Sequence, residues 1–189
     1  MKKYILSILI CTFFFNCKAQ TTVNINTFNQ GDNSNKYFKD LNNYRQKFVG
    51  IWENTIDTTT FRLILFLNNE KPMGSPIDYY KDFIGGKFQI IENAGTSQEI
   101  IIHDSVKTFP NGITTSDVFL GNAGPTGLAG YFDDTCASGG EDVQSGFFSL
   151  DIININSIPL QAHWKIKKAG LILGRYYSMP KDVIMTKVN

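Results

Sequence analysis

Apolar positions along this chain change their period once, near Gly50. Before it, Tyr37, Leu41, Tyr44 and Phe48 fall at i, i+4, i+7 and i+11, one face of a helix. Lys39, Asn42, Asn43 and Gln46 fall elsewhere. Asn33-Ser34-Asn35 offers N-cap oxygens in front, and Gly50 suits a left-handed exit behind. The spacing predicts one α-helix over KYFKDLNNYRQKFVG. From Gly50 onward the period is two. Phe61, Leu63, Leu65 and Leu67 share one face of a strand, and Arg62, Ile64 and Phe66 share the other. Both faces are largely apolar, so this strand is expected to be covered on both sides.

The same alternation recurs to the end of the chain. Ile77–Ile91 is a long strand pattern interrupted by Gly85-Gly86, a signal for a bulge or sharp bend that curls a sheet. Asn93-Ala94-Gly95 and Pro110-Asn111-Gly112 read as turns. Gln98–Val106, Thr114–Leu120, Leu128–Phe132 and Phe147–Ile155 read as further strands. Leu160–Lys167 is the cleanest alternation: Leu160, Ala162, Trp164 and Ile166 face in, and Gln161, His163, Lys165 and Lys167 face out. Leu171–Tyr177 and Asp182–Val188 finish the set. Nine to eleven short strands joined by hairpin-like links imply an antiparallel sheet, and no βαβ crossover pattern is visible.

Only the first residues stand outside this scheme. Lys2 and Lys3 precede the apolar run Tyr4–Phe15, a secretory leader too short to remain as a membrane span. Two exits from it compete. Residues 1–19 are removed before Gln20, with small residues Cys17 and Ala19 at −3 and −1; or residues 1–16 are removed and Cys17 is acylated, as in a bacterial lipoprotein. Residues 20–35, polar and rich in Asn and Thr, read as a tether, and 36–189 as one β domain. The chain carries +1 overall. Loss of Lys2 and Lys3 leaves −1, and loss of Lys18 as well leaves −2. That balance, with no later Lys/Arg cluster, argues against a nucleic-acid partner. Cys11 leaves with the leader and Cys17 leaves or carries lipid, so Cys136 stands alone and the fold must rest on its core.

Gly50-x-Trp52 at the first strand resembles the opening of a lipocalin-type barrel. In that family a basic residue of the last strand packs over the indole, which the resemblance assigns to Lys187 or Arg175. A second likeness covers most of the chain. FVGIWE with TFRLILFL, then GGKFQI, then MPKDVIMTKV, is similar to a family of small secreted Gram-negative proteins of uncharacterised function. It implies an exported, lipocalin-like single domain and no particular activity.

Local chemistry is sparse. His103 and His163 are the only histidines. His103 and Asp104 are strand neighbours and point to opposite faces, so they form no dyad. There is no Gly-x-Ser-x-Gly elbow and no Cys/His zinc spacing. Asp133, Asp134, Glu141 and Asp142 flank a Gly-rich loop, but without EF-hand spacing they read as a solvated acidic loop. The loop GNAGPTG at 121–127 lacks the Lys-Ser/Thr of a phosphate cradle and reads as a turn. Aromatic residues make up 13% of the chain, enough to line a mouth: Trp52, Tyr79, Tyr131 and Tyr177 are the candidate ligand-binding residues.

The expectation is a mainly β protein: a single antiparallel barrel or half-barrel, lipocalin/calycin-like, with one N-terminal α-helix across its open end. Its expected role is non-catalytic binding of a small apolar ligand or a partner protein. It would be periplasmic, outer-membrane-anchored or secreted, touching a membrane only through lipid on Cys17. No metal or cofactor is implied. The rivals are a hydrolase acting on glycans or esters and a purely structural envelope protein.

Overall fold

In the computed structural model the described residues are 20–28, 31–106, 119–134, 144–168 and 177–188. The leader, Cys17, the expected turn Pro110-Asn111-Gly112, most of the expected strand Thr114–Leu120, Cys136, Glu141, Asp142, Arg175 and all but the last residue of the expected strand Leu171–Tyr177 lie outside them. Eleven strands are described: β1 Thr21–Asn24, β2 Lys36–Lys39, β3 Gly50–Ile56, β4 Thr59–Met73, β5 Tyr79–Glu92, β6 Ile100–Asp104, β7 Phe119–Ala123, β8 Gly127–Asp134, β9 Gln144–Asn154, β10 Gln161–Lys168 and β11 Asp182–Val188. The described residues divide into two compact units, one of those up to Leu41 with Glu70–Lys81, the other of Asn42–Asn69 with those from Asp82 onward.

The second unit is a closed eight-stranded antiparallel barrel. Its neighbours run β5-β4-β3-β11-β10-β9-β8-β7, and β7 returns to β5. Closure occurs at the predicted glycine pair, where Ile84, Gly85 and Gly86 face Gly121, Leu120 and Phe119. A Cβ on Gly85 would lie 2.7 Å from Phe66, and one on Gly86 would lie 2.7 Å from Leu65. Bare backbone here lets both side chains of β4 press onto β5 and allows the sheet to turn back on itself. The half-barrel alternative is therefore excluded.

Alternation decides what fills the barrel. Trp52, Leu63, Phe88, Phe119, Phe132, Leu150, Trp164 and Met185 point inward and are fully buried or nearly so. The Phe119 ring lies 6.1, 5.8, 5.3 and 5.8 Å from the rings of Phe88, Phe132, Phe148 and Trp164. At this level the interior is a packed aromatic layer, as expected of eight strands, whose lumen side chains can just fill. On β10 the expected inward set is seen at Ala162 and Trp164, both at 0% exposure. Leu160 lies just before the strand.

The predicted N-terminal α-helix does not form. No α-helix occurs among the described residues, and the segment divides into β2, a turn and a 3-10 helix over Tyr44–Lys47. Two facts defeat the 3.6-residue stripe. Lys36–Lys39 pairs residue for residue with β1 in parallel, so its amides serve a sheet. Asn43 is left-handed, with φ 54°, which breaks any winding before Tyr44. The stripe is also only half right about burial: Phe48 is fully buried and Tyr44 packs on the core, but Leu41 is 58% exposed while Phe38, off the stripe, is 1% exposed.

Phe38 belongs to the first unit. There it packs with Phe28 and Tyr79, ring centres 5.1–5.7 Å apart, and Lys81 lies 4.0 Å over the Phe28 ring. Burial holds the Lys81 ammonium below its ordinary pKa. Part of the stretch expected as a tether thus lies in β1 and in the 3-10 turn Ile25–Thr27.

Candidate binding site at the barrel mouth

The β3–β4 hairpin lines two surface depressions with its two faces. Period two sends Asn54, Ile56, Thr59 and Phe61 to the inner side, and Glu53, Thr55, Asp57 and Arg62 to the outer side. The inner set, with Ile90, Ser178 and Pro180, surrounds a small hollow of about 140 Å³ at the barrel mouth. Its walls are Ile56, Phe61, Ile90 and Pro180, and its polar groups are Asn54, Thr59 and Ser178. Ile56 is 60% exposed at the rim and Phe61 only 3% exposed at the floor. Phe61 in turn leans on Phe88 and Trp164, at 6.2 and 5.6 Å. The floor of the hollow is thus the top of the aromatic core.

The opposite wall is held by buried polar groups. Asp134, fully buried, accepts the Ser178 backbone N–H at 2.6 Å and the Ser178 hydroxyl at 2.9 Å. The Trp164 indole N–H donates to the Pro180 carbonyl at 2.9 Å. Just before Ser178, the Tyr177 hydroxyl donates to the Ser145 carbonyl at 2.9 Å. These bonds fix residues 177–180 on β8, β9 and β10 before the chain enters β11. On the near wall, the Asn54 amide donates to the Ile184 carbonyl at 2.9 Å. A hollow of roughly 150 Å³ with apolar walls admits a group the size of benzene. The arrangement can therefore seat a small apolar group, with amide and hydroxyl groups at its edge to orient it.

The outer depression is wider, about 320 Å³, and polar. Glu53 and Arg62 are cross-strand partners joined at 2.5 Å, and Glu99 lies 3.9 Å from the same guanidinium. The Glu99 carboxylate also accepts the Gly95 amide at 2.7 Å, and Thr55 and Thr60 share a 2.9 Å hydrogen bond. These groups satisfy one another and read as a brace between the two hairpins.

At the other end of β3, Trp52 is fully buried and donates its indole N–H to the Phe48 carbonyl at 2.8 Å. The Lys187 ammonium lies 5.8 Å over the indole and donates to the Lys47 carbonyl at 2.9 Å. This is the contact that the lipocalin likeness implied for Lys187. Burial pulls this ammonium below its ordinary pKa. A Cβ on Gly50 would sit 3.1 Å from the Lys187 chain, and Gly50 has φ 122°, so glycine suits this position on two counts. In the 3-10 helix before Phe48, Arg45 is buried with Asp82 at 2.7 Å and donates to the Phe83 carbonyl at 2.9 Å.

The four candidate ligand residues do not converge. Trp52 lies in the barrel interior, with no exposure. Tyr177 is buried against Phe132, 5.2 Å away, and supports the mouth wall from behind. Tyr131 is on the outer surface beside Phe147. Tyr79 belongs to the aromatic cluster of the first unit. His163 is paired with Asp182, and His103 is exposed on β6. No group of three or more potential metal ligands occurs among the described residues. Asp134, expected in a solvated acidic loop, is instead wholly buried against Ser178. Sequence reasoning missed that contact and the Arg45–Asp82 pair. Nothing local announces either, because the partners lie 44 and 37 residues apart in the chain.

The fold and the mouth together define a small closed β-barrel with a packed interior and a shallow apolar hollow at one end. The chain belongs to a family of unknown function, DUF6705, whose profile matches residues 1–145. No curated protein and no solved structure matches it.

Proposed function

We propose that this protein is an exported, non-catalytic binding module, with or without a lipid on Cys17, and that its barrel mouth seats a small apolar group of a ligand or partner. The observation that carries the reading is the division of the barrel itself. Aromatic rings occupy the interior, so binding is left to the hollow above Phe61, whose walls are apolar and whose edge carries Asn54, Thr59 and Ser178. The leader pattern at Lys2–Phe15 supports export.

Benzene and isobutanol, titrated into the isotope-labelled mature protein, test the mouth. Amide resonances of Asn54, Ile90 and Ser178 are expected to shift saturably at millimolar probe. Ile56→Asp, at an exposed rim position, should abolish the shifts, and Ile155→Asp, at the β9–β10 turn, should leave them. Shifts that survive Ile56→Asp would reject the mouth as the site. Intact mass of the protein made in a Gram-negative host tests export: a chain beginning at acylated Cys17 or at Gln20 supports it, and a retained leader in the cytosol rejects it. The same packed interior favours a second reading, a structural envelope protein. That reading takes over if neither probe shifts a resonance and neither raises the melting temperature.

A further inference from the structure

We propose that the outer depression, between the β3–β4 and β5–β6 turns, binds a neutral monosaccharide through Asp57, Thr58 and Asn93. It lies on the other face of the hairpin from the barrel mouth and rests on none of the reading drawn there. Its frame is fixed. Asp57 and Asn93 are both left-handed, with φ 54° and 55°, and the Asn93 backbone N–H donates to the Thr58 carbonyl at 2.7 Å. Arg62 joins Glu53 on its own hairpin to Glu99 of the next turn. The two turns are thereby held against each other around a hollow of about 320 Å³, the small end of the range for ligand sites.

The brace leaves polar groups over. The side chains of Asp57, Thr58 and Asn93 line the hollow and make no hydrogen bond or ion pair among the described residues. Thr55 and Thr60 share one hydrogen bond between two hydroxyls, so one O–H proton has no acceptor there, and Thr60 is only 1% exposed. This inventory selects the ligand. The carboxylates of Glu53, Asp57 and Glu99 outnumber the one guanidinium of Arg62, so an anion is repelled. A bare cation suits Asp57 but meets donors elsewhere: the Asn93 amide, Arg62 and the spare hydroxyl proton. An apolar molecule would strip water from all of these groups and return no hydrogen bond. A hydroxyl donates and accepts at once, so a ring carrying several meets carboxylate, amide and hydroxyl together. No aromatic side chain lines the hollow, so stacking contributes nothing and the affinity should be millimolar.

Titration of the isotope-labelled mature protein tests the site. The probes are glucose, galactose and mannose, with methylammonium and acetamide as the cationic and peptide-like rivals. At least one sugar is expected to shift the amide resonances of Thr58, Ala94 and Thr96 saturably, while those of Ile90 and Ser178 at the barrel mouth stay in place. Asp57→Gly and Asn93→Gly keep the left-handed turns and remove the side chains, and each should weaken binding about fivefold or more. Asp57→Asn keeps an acceptor without the charge and should retain most of the affinity. Ile155→Asp, at the β9–β10 turn, should change nothing. Melting temperature confirms that each variant is folded. Failure of all three sugars would overturn the proposal, as would undiminished binding by both glycine variants. Binding of methylammonium that Asp57→Asn abolishes, without binding of a sugar, would make the hollow a cation site instead. Binding of acetamide alone would assign it to a peptide.

Discussion

Removing the indole of Trp52 tests the architecture at its base. Trp52 is fully buried, its N–H satisfies the Phe48 carbonyl at 2.8 Å, and its ring lies under the Lys187 ammonium. Trp52→Ala deletes a large buried ring from a packed core, a change worth about 3–5 kcal/mol. Against a total stability of about 5–15 kcal/mol, that could leave too little folded protein to measure. Trp52→Phe is the sharper probe. It keeps most of the apolar body and removes the donor, leaving a buried carbonyl unsatisfied at about 1–3 kcal/mol, plus a small cavity. The expected loss is about 2–3 kcal/mol, or roughly 4–12 °C in melting temperature for a chain of this length. Guanidinium unfolding, followed by the fluorescence of the remaining Trp164, measures it. The midpoint should fall with the slope unchanged. A midpoint equal to wild type would refute the claim that Trp52 and Phe48 lock the start of β3 onto the core.

Two further substitutions test the barrel frame. Arg45→Met should cost about 3–5 kcal/mol, because it leaves the Asp82 carboxylate buried without its guanidinium and the Phe83 carbonyl without its donor; Arg45→Met with Asp82→Leu should regain most of that loss in the same unfolding assay. Gly130→Ala should destabilise by at least about 3 kcal/mol, since a Cβ there would lie 2.0 Å from the Leu120 carbonyl oxygen and 2.6 Å from the Gly121 Cα, neither of which can yield without parting β7 from β8. Gly124→Ala, whose nearest contact is 3.7 Å away, is the near-neutral control; equal stability of the two variants would show that β7 and β8 are not in close register.

Several elements were legible in the chain before any coordinate. Ala162 and Trp164 are buried as their alternation required, and the Gly85-Gly86 interruption falls where the sheet closes. These are local signals. A strand sends alternate residues to opposite faces wherever it lies, and two adjacent glycines free the backbone to turn whatever crosses it. The likeness that opened on Gly50-x-Trp52 also anticipated Lys187 over the indole.

The amphipathic stripe at Tyr37–Phe48 was misleading because four apolar residues at helical spacing constrain a backbone weakly. Parallel pairing of Lys36–Lys39 with Thr21–Asn24, an interaction between separate segments, outweighed it. The mouth was invisible for the same reason. Its walls come from β3, β4, β5 and the residues before β11, and its far wall stands on a bond from Ser178 to Asp134, whose carboxylate looked like part of an acidic loop. From Gly50 onward, the order of residues therefore determined the main strands and which side of them is apolar, but not β1 and β2. Which strands meet, which charges are buried together and where a hollow remains depended on contacts between segments far apart in the chain, and only the closed barrel decides those.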